Sequence, residues 1–191
     1  MDHIDKLIEI VRKSRDPQKA WSEIFRLCQT SQPSPMWNKL PQPDIAGDIV
    51  RARTWLMTQI SQSKVRPRGI YLGLDTLNMN EGRGKNVELG FSSKADPAVL
   101  DMDWIFNCEA YGADHLISSL VGMKKLYDAD EETSSFADYM LFLGYSGLIL
   151  LAAIESAPLE NDFIAIWGFH DGDMAFLVRS VDGQIERLVK F

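Results

Sequence analysis

Residues 163–191 read FIAIWGFHDGDMAFLVRSVDGQIERLVKF, and the fold class turns on this stretch. Phe163 to Phe169, Asp173 to Ser180 and Gln184 to Phe191 are three runs in which apolar residues alternate. They are separated by His170-Asp171-Gly172 and Val181-Asp182-Gly183. Alternation with period two puts successive side chains on opposite faces of a strand. Asp-Gly between two such runs is a strong hairpin signal, because both residues tolerate positive φ. The spacing predicts a three-stranded antiparallel meander.

Working upstream, Met140 to Ile154 is the longest apolar run in the chain. It is shorter than the roughly 20 residues that span a bilayer, and it contains Gly144, Ser146 and Gly147. Ser135-Phe136-Ala137-Asp138 has the spacing of a capping box. A helix is therefore predicted from there to about Ser156, apolar nearly all round and hence buried in the core. Before it, Leu116, Ile117, Leu120, Met123, Leu126 and Tyr127 predict a helix over 111–127. Gly69 to Leu74 and Asn86 to Phe91 read as two strands joined by a long polar loop.

The N-terminal third is helical in pattern. Ile4, Leu7, Ile8 and Val11 predict a helix over 2–14, and Asp16-Pro17 starts a second with an N-cap acceptor and a proline at the first position. Four prolines between 33 and 43 predict an extended connector packed down by Met36, Trp37 and Leu40. Asp44 then caps a third helix to about Gln62, with Ile45, Ile49, Ala52, Leu56 and Ile60 as its stripe. The expected fold is α+β: N-terminal helices, a mixed or antiparallel sheet ending in the meander, and a buried apolar helix near 135–156. One domain over 1–191 is expected, mainly helical over 1–62 and mixed over 68–191.

Composition narrows the class. The nine Phe, five Tyr and five Trp supply a large core without metal or disulfide. Cys28 and Cys108 belong to no C-x-x-C pair and read as small hydrophobes in a reducing compartment. The N-terminus has no signal-peptide pattern, so a cytoplasmic chain is expected. Residues 1–68 hold 12 Lys/Arg against seven Asp/Glu, and residues 69–191 hold eight against 20. Nucleic-acid binding, which draws its affinity from Lys/Arg on phosphates, does not fit that balance. A basic protein partner does.

Several local patterns carry chemistry. Residues 78–86 resemble a phosphate cradle, but Met79 stands where the first P-loop glycine belongs and Asn86 where the magnesium-holding Ser or Thr belongs. Gly144-Tyr145-Ser146-Gly147 is similar to a nucleophile elbow, with His170 as base and Asp162 or Asp171 as the orienting acid. That pattern wants glycine two residues after the serine, where Leu148 stands, and close helix packing explains the same glycines. His170, Asp171 and Asp173 could ligate a divalent ion or simply form a polar turn. Asp101, Asp103 and Glu109 flank Trp104, with Asp101 or Asp103 as the cap of a helix starting there.

No complete catalytic, metal or cofactor constellation results, so no cofactor is expected. The stretch from Asp96 to Asp138 holds ten Asp/Glu against Lys124 and Lys125. The expectation is a non-catalytic protein-binding domain, an inhibitor or immunity-type protein whose acidic face blocks a basic partner. Its binding residues would be Asp101, Asp103, Glu109, Asp114, Asp128, Asp130, Glu131 and Glu132. The alternative is a small serine hydrolase using Ser146, His170 and Asp171. Neither a membrane nor an oligomeric state is indicated.

Overall fold

The computed structural model describes residues 3–75, 86–127, 134–169 and 172–188. Helix α1 (His3–Lys13) and helix α2 (Pro17–Ser31) turn on Asp16, whose side chain accepts from the amides of Gln18 and Lys19. His3 at the start of α1 meets Ser31 at the end of α2, so the pair is antiparallel. The proline-rich connector is extended except for one 3-10 turn, Pro35–Lys39, capped by Ser34 and buried through Met36 and Trp37. Helix α3 (Ile45–Gln62) follows, with the Asp44 side chain accepting from the Gly47 amide as its cap.

Strands β1 (Gly69–Leu74) and β2 (Val87–Ser92) pair antiparallel, from Gly69 opposite Ser92 to Leu74 opposite Val87. After a 3-10 turn at Asp103–Asn107 come the two-residue strand β3 (Ala110–Tyr111), helix α4 (Ser118–Tyr127) and helix α5 (Ser134–Glu155). The chain closes with β4 (Phe163–Phe169), β5 (Met174–Val181) and β6 (Gln184–Arg187). The described residues thus form five helices and one six-stranded sheet, in the order β3-β2-β1-β4-β5-β6. The C-terminal meander is present, and its second turn has Asp182 and Gly183 at φ 52° and 72°, the backbone an Asp-Gly hairpin needs.

The sheet is mixed because its central strands, β1 and β4, run parallel, while its other neighbours are antiparallel. Strands covered on both faces read as near-continuous apolar runs, as these two do. β5 carries a bulge: Ala165 faces Val178 and Ile166 faces Phe176, which leaves Leu177 as an extra residue. Leu177 and Val178 are consequently both buried in the helix-side core. The buried Arg12 donates from Nε (2.8 Å) to the Phe176 carbonyl beside the bulge.

All five helices pack on one face of the sheet. α5 lies against β4 and β5 and is covered in turn by the other four helices, which explains why it is apolar all round. Its two glycines are there for close approach. A Cβ on Gly147 would stand 2.6 Å from the Trp167 ring, and one on Gly144 would stand 2.7 Å from Leu7. The side chains of the expected capping box, Ser135 and Asp138, lie outside the described ones.

Two expectations need correction. The helix predicted over 111–127 begins only at Ser118, because 112–117 is held as an irregular segment between β2 and α3. Asn86 accepts from the Ile117 amide (2.8 Å) and donates to its carbonyl (3.1 Å), while His115 makes a bridge with Val87. The element at Trp104 is a 3-10 turn with no side-chain cap on its own N-cap residue. Asp101 instead accepts from the Asp103 amide (2.9 Å), an Asx turn one residue earlier.

Candidate functional site

Residues 93–109 cross the sheet face opposite the helices. Their hold on that face comes from Ala95, Trp104 and Ile105, which pack with Tyr71, Ile164, Ile166, Phe176 and Leu188 into a second, smaller core. The Trp104 ring lies over Gly69, where a Cβ would meet it at 2.7 Å, and its Nε1–H donates to the Asp101 carbonyl (2.9 Å). Glu109 fastens the two ends together, accepting from the Ser93 amide (2.6 Å) and hydroxyl (2.7 Å). These bonds, with Lys94 nearby, hold its carboxyl below the usual carboxylate range.

The 3-10 turn has about three residues per turn, so burying Trp104 and Ile105 leaves the third face, and with it Phe106, turned outward. Phe106 is 75% exposed. Tyr111 stands opposite Gly90, whose missing Cβ would point at the Cys108 sulfur on this same face, and is 69% exposed. Val99 and Leu100 are exposed on the same segment. Asp96, Asp101, Asp103 and Glu109 are exposed around these apolar groups. Asp96 is engaged by Arg68 (3.5 Å), whereas Asp101 and Asp103 form no ion pair among the described residues.

Of the acidic residues expected to act together, Asp101, Asp103 and Glu109 share this segment. Asp114 sits past β3, half-buried, in the stretch leading to α4. Asp128, Asp130, Glu131 and Glu132 lie outside the described residues. The exposed aromatics were the missed part: hydropathy places Phe106 and Tyr111 in a core. A period of three around Trp104 was the available signal for Phe106.

Ser146 occupies a different setting from the one its motif suggests. It lies inside α5 with helix on both sides, so the strand-turn-helix elbow is not formed. It is fully buried, and its hydroxyl donates back to the Leu143 carbonyl (3.0 Å). His170 and Asp171 lie outside the described residues, and Asp162 is exposed before the start of β4, at the end of that strand away from residue 169. Asp173 accepts a hydrogen bond from the Tyr139 hydroxyl. In the phosphate-cradle stretch, residues 78–85 are likewise outside the described ones, and Asn86 is the buried clasp on Ile117. No group of three or more His, Cys, Asp or Glu among the described residues could hold a metal ion. Cys28 is in the helix-side core and Cys108 on the opposite face; burial raises their thiols to about 12 and about 11, so both stay protonated.

One buried polar cluster was not foreseen. Asp48 is 1% exposed and lies on the inner stripe of α3 between Ile45 and Ala52. It accepts from Arg51 (2.7 Å), the buried Tyr145 hydroxyl (3.0 Å) and the Ser119 amide (3.3 Å) at the start of α4. Burial alone would push its carboxyl up, but the bonds from Ser119, Arg51 and Tyr145 outweigh that and leave it below the usual range. Two turns further along α3, Trp55 donates to the Ala113 carbonyl (2.6 Å) and stacks on His115 at 4.8 Å. Burial lowers the His115 imidazole to about 4. These groups tie 113–119 to α3 and act as a fastening between elements. A carboxylate on an apolar helix stripe was the sequence signal for it.

Fold and surface together define an α+β domain whose sheet carries helices on one face and a thin, acidic, aromatic-tipped segment on the other. No family model, no curated protein and no solved structure matches the chain. No helix among the described residues is long and apolar enough to cross a membrane.

Proposed function

We propose that this chain is a non-catalytic protein-binding domain of inhibitor or immunity type, and that its 96–111 segment is the surface offered to a basic partner. The observation that supports this most is Phe106, an aromatic ring held in solvent by a turn anchored through the buried Trp104 and Ile105, beside the carboxylates of Asp101 and Asp103, which form no ion pair among the described residues. Interface anchors are commonly aromatic and ringed by polar groups, and an acidic rim speeds capture of a cationic partner.

Titration with a Lys/Arg-rich peptide that carries spaced leucines tests the reading. Binding is expected to weaken at least about tenfold for Phe106→Ala and for Asp101→Lys/Asp103→Lys, and to fall as salt shortens the Debye length to about 3 Å at 1 M. Affinity indifferent both to salt and to these variants would remove the reading. Covalent labelling by a fluorophosphonate, lost in Ser146→Ala, would move the assignment to the hydrolase.

A further inference from the structure

The helix side of the molecule carries a groove of about 770 Å³ between α1 and α2. Ile10 and Leu27, both half-buried, form its apolar floor. Its charges are unevenly settled. Lys13 is paired with Glu9, Arg15 with Glu155 at 3.3 Å, and Asp16 is committed to capping α2. Lys6, Lys19 and Arg26 form no ion pair among the described residues, and Glu23 is the one unpaired carboxylate lining the groove with them.

An occupant should therefore bring an apolar side chain and negative charge together. A nucleic-acid backbone fits poorly, since three free cations on a chain of net charge −7 neutralise few phosphates and the floor gives phosphate no partner. The required combination is present on this chain itself, at the 101–106 turn, where Phe106 is solvent-exposed beside Asp101 and Asp103. Groove and turn lie on opposite faces of the sheet, so one molecule cannot join its own pair.

We infer that the molecule self-associates head to tail, the 101–106 turn of one copy seating Phe106 on Ile10 and Leu27 of the next, with Asp101 and Asp103 against Lys19 and Arg26. The inference rests on the reading of 96–111 as a docking surface and names a second copy as one partner for it. A contact between two different patches leaves a free patch at each end, so assembly grows with concentration unless the rotation closes a ring.

Sedimentation velocity over a wide concentration range at low salt decides it. The wild-type chain is expected to sediment faster as concentration rises and to return to monomer in about 1 M salt. Asp101→Lys/Asp103→Lys and Lys19→Glu/Arg26→Glu should each stay monomeric alone, because their groove and turn then carry like charge. Mixed in equal amounts they should associate again, since each variant's altered patch complements the other's; recovery also shows that both are folded. A wild-type chain that stays monomeric throughout, association untouched by the groove variant, or a mixture that does not recover would each overturn the inference. The groove variant keeps 96–111 intact. If it still binds the basic leucine-containing peptide while self-association proves absent, the docking surface stands and the self-association alone is lost.

Discussion

On the helix side of the sheet, Phe163, Ala165, Trp167 and Phe169 of β4 meet α5 and, behind it, four more helices. On the other side, Ile164 and Ile166 of the same strand meet little more than residues 95–108. Both faces hide a tryptophan whose indole N–H is satisfied by a backbone carbonyl, Trp167 on Leu143 at 3.1 Å and Trp104 on Asp101 at 2.9 Å. Only the thin cover also leaves Phe106 and Tyr111 in water. A deep layer can bury most of the apolar groups it carries, with Val50 of α3 left exposed, while a cover one segment thick has an outer surface that must meet either solvent or a partner. The thick side is thereby the scaffold and the thin side the candidate for contact.

Truncating the two tryptophans puts that contrast to its hardest test. Trp167→Ala should cost about 3–5 kcal/mol in chemical denaturation, because its surroundings on α5 cannot collapse into the cavity. Trp104→Ala should cost clearly less, about 2–3 kcal/mol, because the segment above it can settle inward. Equal losses would mean that the two faces are equally rigid.

The fastening on the helix side comes next in size. Asp48→Ala removes the acceptor shared by Arg51, Ser119 and the buried Tyr145 hydroxyl and should cost about 2–4 kcal/mol. Tyr145→Phe removes a single donor and should cost about 1–2 kcal/mol. Thermal melts of both would check the ranking.

Acid should act through the same junction. With its imidazole lowered from 6.5 to about 4, His115 stays neutral in the folded chain while the unfolded chain takes up a proton below about pH 6.5. Stability should therefore be full above that pH and decline by about 2–3 kcal/mol as pH falls to about 4. Urea midpoints measured across that window in the wild type and in His115→Gln should diverge, with the variant showing the shallower decline. Below that window the depressed carboxyls of Asp48 and Glu109 lose the stability they contribute.

The smallest change in stability is expected on the exposed surface. Phe106→Ala and Tyr111→Ala should stay within about 0.5 kcal/mol of wild type, since neither ring is packed. A larger loss would show that these rings support the fold instead of waiting for a partner.

The elements readable in advance were those that local chemistry dictates. Asp16-Pro17 and Asp44 start helices because a side-chain oxygen beside free amides acts within one turn. The Asp182-Gly183 turn and the apolar runs of β4 and β5 are equally local, as is the all-round apolar character of α5. The candidate site was legible only in part. The carboxylates at 101, 103 and 109 could be counted in the chain, but the rings that stand out among them could not. Whether Phe106 faces water depends on which side of a short turn Trp104 and Gly69 claim.

By itself, then, the sequence determined the α+β class, the starts of α2 and α3, the meander and the acidic bias, because each follows from residues within a few positions of one another. Tertiary structure alone decided the parallel pairing of β1 with β4, the burial of Asp48 and the delay of α4 to Ser118. Each of these depends on contacts between residues tens of positions apart, where neither propensity nor periodicity reaches and only the competition for space and hydrogen-bond partners in the folded chain sets the outcome.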